Sequence, residues 1–195
     1  MSKRQRDSQR SRLYNADDAL IPWSEPLPEM EDLERYTKWV FGLKRLRNAL
    51  PGCLSWKTPD LRDGRRRNTA AATAWTVWMP RHSRKSYILL HELAHVLTRR
   101  TYGYEVAGHG WEYCSVFLKL VLYAMGREAY NALKASFKRY RVKFKAPRKR
   151  KPLSPEQRAA AAERLAKARA VRAKKLRAKP TPRLPLEGML NNFFS

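Results

Sequence analysis

Hydrophobic positions along the chain fall into blocks of different period. In residues 28–52, Leu33, Tyr36, Val40, Leu43, Leu46 and Leu50 recur at steps of three and four, the stripe of one amphipathic helix. Glu29, Glu31 and Asp32 crowd its start and Lys44, Arg45 and Arg47 its end, as the helix dipole favours, and Pro51-Gly52 stops it. The period then shortens to two. "CLSWKT" (53–58) and "ATAWTVWMP" (72–80) are rich in aromatic and β-branched residues, and Trp75, Val77 and Met79 alternate with Ala74, Thr76 and Trp78. With the turn signal Asp63-Gly64 between them, they predict a hairpin that ends at Pro80.

Helical spacing returns in "YILLHELAHVLTRR" (87–100), capped by Ser83 or Ser86. A loop holding Gly103, Gly108 and Gly110 leads to a second helix, "WEYCSVFLKLVLYAM" (111–125), with Gly126 just past its end. A third, "REAYNALKASFKRY" (127–140), carries Tyr130, Leu133 and Phe137 on one side, and "RVKFKA" (141–146) reads as a short last strand. The mixture predicts an α+β domain over residues 28–146, a usual domain size.

Both ends look different. Residues 1–27 start basic, then carry Pro22 and Pro26 with few periodic apolar positions, and read as a flexible arm. Residues 147–195 form a tail of another composition. Ser154, Pro155 and Gln157 make a capping box ahead of an Ala-, Lys-, Arg- and Leu-rich run, so an exposed helix is expected over 155–178. Its apolar face is thin, mostly alanine with Leu165, Val171 and Leu176, and it should firm up only on a partner.

Charge points to that partner. The chain holds 42 Lys and Arg against 17 Asp and Glu, a formal net charge of +25. Residues 138–183 alone hold 19 of the basic residues and 2 of the acidic ones. So lopsided a tail suits a polyanion, and nucleic acid comes first. Arg148, Lys149, Arg150 and Lys151, with Lys174, Lys175, Arg177 and Lys179, are the expected phosphate contacts. No aromatic residue stands between 145 and 183, so neither base stacking nor sequence readout is expected, and DNA bound without sequence preference is the partner predicted. The thin apolar face argues against a membrane surface. Two cysteines, Cys53 and Cys114, make neither a disulfide framework nor a four-cysteine zinc site. No segment has the apolar core of a secretory signal or the roughly 18 apolar residues of a membrane span. A cytoplasmic protein is expected, associated with the nucleoid, or with the host cytoplasm if phage-encoded.

Three of the four histidines lie in "HELAHVLTRRTYGYEVAGHGWEYC" (91–114). HExxH on a helix puts His91 and His95 on one face, one turn apart, where they can share an ion. Glu92 points elsewhere, but it can reach a water on that ion and act as its base. Neutral imidazoles suit Zn2+, and three protein ligands leave a position open for water. His109, between Gly108 and Gly110 and ahead of the next helix, is the preferred third ligand; Glu105 and Glu112 are alternatives. His82 reads as an exposed loop residue. Tyr104 and Tyr113 are the nearest candidates for stabilising an oxyanion.

"HELAH" followed by "GHGWEYC" resembles the SprT-like zinc metallopeptidases, the group that includes Spartan. The resemblance covers about residues 75–145. It implies a small zincin-like domain, zinc held by His91, His95 and His109, Glu92 as the catalytic glutamate, and peptide-bond hydrolysis, often on DNA-associated proteins. Gly110 and Tyr113 match the family's flanking positions. "LHELAH", "HG" and "LYAMGREAYNALKASF" are similar, more closely still, to small metallopeptidase-like proteins of actinobacteria and their phages. Trp111 departs from the family, where proline is common. Many members also carry a zinc ribbon, which two cysteines cannot build, so DNA binding would pass to the basic tail. The competing expectation is a non-catalytic nucleic-acid-binding phage accessory or virion protein, its zinc closed by a fourth ligand such as Cys114 or a glutamate. A zinc hydrolase acting on something other than peptide is a third.

Overall fold

The computed structural model describes residues 6–147, 152 and 154–177. The chain divides into two units, Met1–Pro147 and Arg148–Ser195. Within the first, the order is α1 (Arg10–Asp17), a 3-10 turn (Asp18–Trp23), α2 (Met30–Gly42), α3 (Lys44–Ala49), β1 (Asp60–Asp63), β2 (Ala71–Ala72), β3 (Thr76–Met79), a second 3-10 turn (Arg81–Ser83), α4 (Ser86–Tyr102), α5 (Trp111–Ala124) and α6 (Arg127–Arg139). The fold is α+β, as expected.

Helix α4 is the axis of the core. Leu89, Leu90, Leu93, Val96 and Leu97 are fully buried and join Val116, Phe117, Leu120 and Val121 of α5 and Leu133 and Phe137 of α6. Gly103, with φ +79°, ends α4, and its N–H donates to the Arg99 carbonyl at 2.9 Å. Gly126, with φ +96°, makes the turn from α5 into α6.

Residues 6–27 are not a free arm. Leu13, Ala16 and Leu20 are completely buried in the common core. Helix α1 and the turn after it both pack on α6. Leu13, Ala16, Asp17 and Leu20 make a helical stripe at steps of three and four.

The single helix expected over residues 28–50 is two. A capping box between Glu29 and Asp32 starts α2. Leu43 then turns extended (φ −66°, ψ 105°) after Gly42. The Phe41 carbonyl there accepts from Arg47 Nε at 2.8 Å.

The sheet also differs. β3 is central, with β1 parallel to it in the register Leu61–Val77 and β2 antiparallel in the register Ala72–Val77. Gly64 leaves β1 so close to Pro80 that a Cβ there would lie 2.6 Å from the proline ring. The "CLSWKT" segment forms no strand because a side chain takes its carbonyls. Arg100, buried at the end of α4, donates to the Ser55 carbonyl at 3.1 Å, to that of Lys57, and to that of Ala74 at 2.8 Å. "RVKFKA" forms no strand either. Arg141 turns left-handed (φ 55°) and the Val142 N–H closes α6 on the Phe137 carbonyl at 2.8 Å. The Gln9 amide then pairs with both backbone groups of Lys143, at 2.8 and 3.0 Å.

The second unit is helix α7 (Pro155–Arg177). Its capping box is as the sequence predicts: the Ser154 N–H donates to Gln157 Oε1 at 3.1 Å and the Gln157 N–H to Ser154 Oγ at 3.2 Å. Its described side chains are all exposed, and Lys167 pairs with Glu163 one turn away. No described helix of the chain is long and apolar enough to cross a membrane.

Candidate metal centre

His91 and His95 lie on successive turns of α4, and His109 sits one residue before Gly110, the N-cap of α5. The α4–α5 packing therefore closes the loop onto the helix. The ligating atoms of the three imidazoles lie within 4.8 Å of one another. No cysteine, aspartate or glutamate among the described residues joins them as a further ligand. Glu105 is exposed, and Glu112 is buried beside Gly110 outside the group.

Two aromatic rings bracket the cluster. Tyr113 of α5 is fully buried, with its ring 5.3, 4.4 and 5.1 Å from those of His91, His95 and His109. Its hydroxyl, one of the two candidates for stabilising an oxyanion, donates instead to the His91 carbonyl at 3.2 Å, so the ring is a floor. Burial pushes its phenol well above the ordinary range. Tyr104 is exposed under the Arg99 guanidinium. Tyr14 of α1 covers the other side, its ring 5.5 Å from His91, nearly parallel, and 5.4 Å from His109.

The N-terminal segment also supplies two carboxylates that the sequence did not reveal. His91 Nδ1 donates to Asp17 Oδ2 at 2.8 Å, and His109 Nδ1 donates to Asp7 Oδ2 at 2.6 Å. Each bond fixes a ring and commits its Nδ1, leaving Nε2 as the ligating nitrogen. Gln9, almost fully buried, donates to the His109 carbonyl at 2.7 Å and holds the loop itself.

The donor set fits a metal ion. His109 Nε2 is buried with no hydrogen-bond partner, an orphan that a cation would satisfy. Burial, reinforced by the charge of His91, drives the His109 pKa down to about 4 despite Asp7, so the ring is the neutral species that binds metals. At His91 burial opposes the charged form, but Asp17 outweighs it and the pKa rises. Cys114 lies outside the group of three. Burial holds its thiol protonated, and its sulfur accepts from Gln9 Nε2 at 3.4 Å.

Glu92 and His91 line one cleft of about 320 Å³, with Tyr14, Asp18, Asn68 and His82 among the other walls. Burial raises the Glu92 carboxyl above its usual range, against the opposing charges of His91 and Arg99. His82 is exposed, as expected, but it belongs to this rim, where its Nε2–H donates to the Asn68 carbonyl at 3.1 Å.

Of the tail residues expected on phosphate, Lys174 is exposed on α7, and Lys175 and Arg177 fall in the same helix. Arg148, Lys149, Arg150, Lys151 and Lys179 lie outside the described residues. No family model, curated protein or solved structure matches the chain.

Proposed function

We propose that the chain is a zincin-like zinc metallopeptidase that cuts proteins associated with nucleic acid, with its basic tail as the tether. The observation that carries this reading is the convergence of the ligating atoms of His91, His95 and His109 to within 4.8 Å of one another, with His91 on the wall of a cleft that Glu92 also lines. The three imidazoles would hold zinc, which would supply Lewis acidity, polarising a carbonyl and lowering the pKa of water to about 7.

The chain's own residues do the rest. Glu92, its proton affinity raised by burial, takes a proton from the attacking water and later gives it to the leaving amine. Asp17 and Asp7 hold His91 and His109 in one tautomer and one orientation through the cycle. Tyr113 keeps the inner side dry. A closed structural zinc site needs a fourth protein ligand, and among the described residues no cysteine, aspartate or glutamate joins the three histidines.

Glu92→Gln tests the reading. The variant should retain about one zinc per chain by elemental analysis and lose cleavage of an unfolded protein such as casein, with DNA present or absent. Cleavage at the wild-type rate would sink the mechanism.

A further inference from the structure

The peptidase reading leaves the charge that develops on the substrate carbonyl without a protein donor. We propose that Tyr14, positioned by Arg10, is that donor, so that the catalytic site is completed by the N-terminal helix. The inference rests on the peptidase reading.

Four observations carry it. Tyr14 is 43% exposed although its ring lies against two of the three imidazoles, so it faces solvent at the site instead of filling the core. It lines the same cleft as Glu92. Arg10, one turn earlier on α1, donates from Nε to the Tyr14 hydroxyl oxygen at 3.3 Å. That bond occupies the oxygen as an acceptor, leaving the phenolic hydrogen to donate elsewhere, and a cationic donor on the oxygen strengthens such a bond. Finally, the other two tyrosines beside the histidine loop are unsuited: Tyr113 is sealed in the core and committed to the His91 carbonyl, and Tyr104 lies outside the residues lining the cleft.

The chemistry balances. Water oxygen bonds to the carbonyl carbon as Glu92 takes a proton, and the carbonyl π pair moves onto its oxygen. Tyr14 donates a hydrogen bond to that oxyanion, keeping its proton. The pair then returns, the C–N bond breaks, and the amine leaves with the proton from Glu92. The Tyr14 bond is strongest when the oxygen is charged, so it lowers the barrier more than it aids ground-state binding.

The test compares full-length wild type, Tyr14→Phe and Arg10→Gln, using a quenched fluorescent peptide that wild type cuts and a phosphinic peptide of the same sequence, whose tetrahedral phosphorus carries the anionic oxygen. Phenylalanine keeps the ring against His91 and His109 and removes only the hydroxyl. Tyr14→Phe should keep one zinc per chain and a KM within about twofold, lose about 100-fold in kcat, and bind the phosphinic peptide more weakly by a similar factor. Arg10→Gln should show the same pattern with a smaller loss. Unchanged kcat and unchanged phosphinic-peptide affinity in Tyr14→Phe would overturn the proposal while leaving the peptidase reading intact, and so would a change in KM or zinc content alone. A wild type that holds zinc but neither cuts peptides nor binds the phosphinic peptide would overturn both.

Discussion

Asp17 and His91 are 74 residues apart in sequence, and their side chains meet at 2.8 Å in the interior. The contact joins the N-terminal helix to the first histidine of the HExxH motif. It makes helix α1 part of the candidate metal centre.

Asp17→Asn should therefore weaken zinc binding without removing a ligand. Losing such an outer carboxylate costs about 10–100-fold in affinity. Competition against a chromophoric chelator would measure it. Asp7→Asn should act in the same direction through His109, and less strongly because Asp7 is only partly buried. Wild-type affinity in Asp17→Asn would show that the bond does not orient the ligand.

Zinc and the N-terminal segment should stabilise each other. Zinc at about 100-fold over its dissociation constant adds about 2.7 kcal/mol to a fold that binds it only when native. Hydrogen exchange resolves where the gain falls. The amides of α1 should slow on adding zinc and quicken on adding a chelator, because Asp7, Gln9 and Asp17 tie this segment to His109 and His91. Equal exchange of α1 with and without zinc would contradict the coupling.

The sequence exposed the helices and the three histidines for a physical reason. α4, α5 and α6 bury long apolar stripes, so their period is strong, and a one-turn HExxH spacing needs no tertiary information. The two expected strands that do not form have a common cause, which is backbone satisfied by distant side chains. Arg100 takes the carbonyls that would have made residues 53–58 a strand, and Gln9 takes the backbone groups of Lys143. No period reports such a partner. β1 and β3 have four residues and β2 two, too short for alternation to fix their pairing. At the N-terminus, prolines and cations masked the stripe of Leu13, Ala16, Asp17 and Leu20. Asp17 could have been suspected, as an acidic residue on the apolar side of a helix.

Arg100 gives a stability prediction. Its side chain is buried between the Trp75 and Phe41 rings, 4.4 and 5.7 Å from their centres, and it serves three carbonyls. Arg100→Met keeps much of the packing and removes every donor. It should cost about 3 kcal/mol, read as a lower urea midpoint at an unchanged slope. Zinc content should stay at the wild-type value, because Arg100 lies more than a turn beyond His95 on α4. A midpoint equal to that of wild type would mean that water replaces the guanidinium without loss.

The tail makes a prediction of a different kind, because its argument is charge. Helix α7 has an exposed surface and a negligible apolar face, so any affinity it has for DNA comes from phosphate neutralisation and counterion release. Binding measured by fluorescence anisotropy on two duplexes of unrelated sequence should be equal. Raising salt from 50 to 200 mM should weaken it by about 10³–10⁵-fold if six to ten phosphates are contacted. Removing residues 148–195 should abolish this binding and leave zinc content unchanged, since the three histidines and their carboxylate partners all lie in the first unit. A shallow salt dependence, or a strong preference between the duplexes, would mean that base contacts from the first unit, and not the tail, govern recognition.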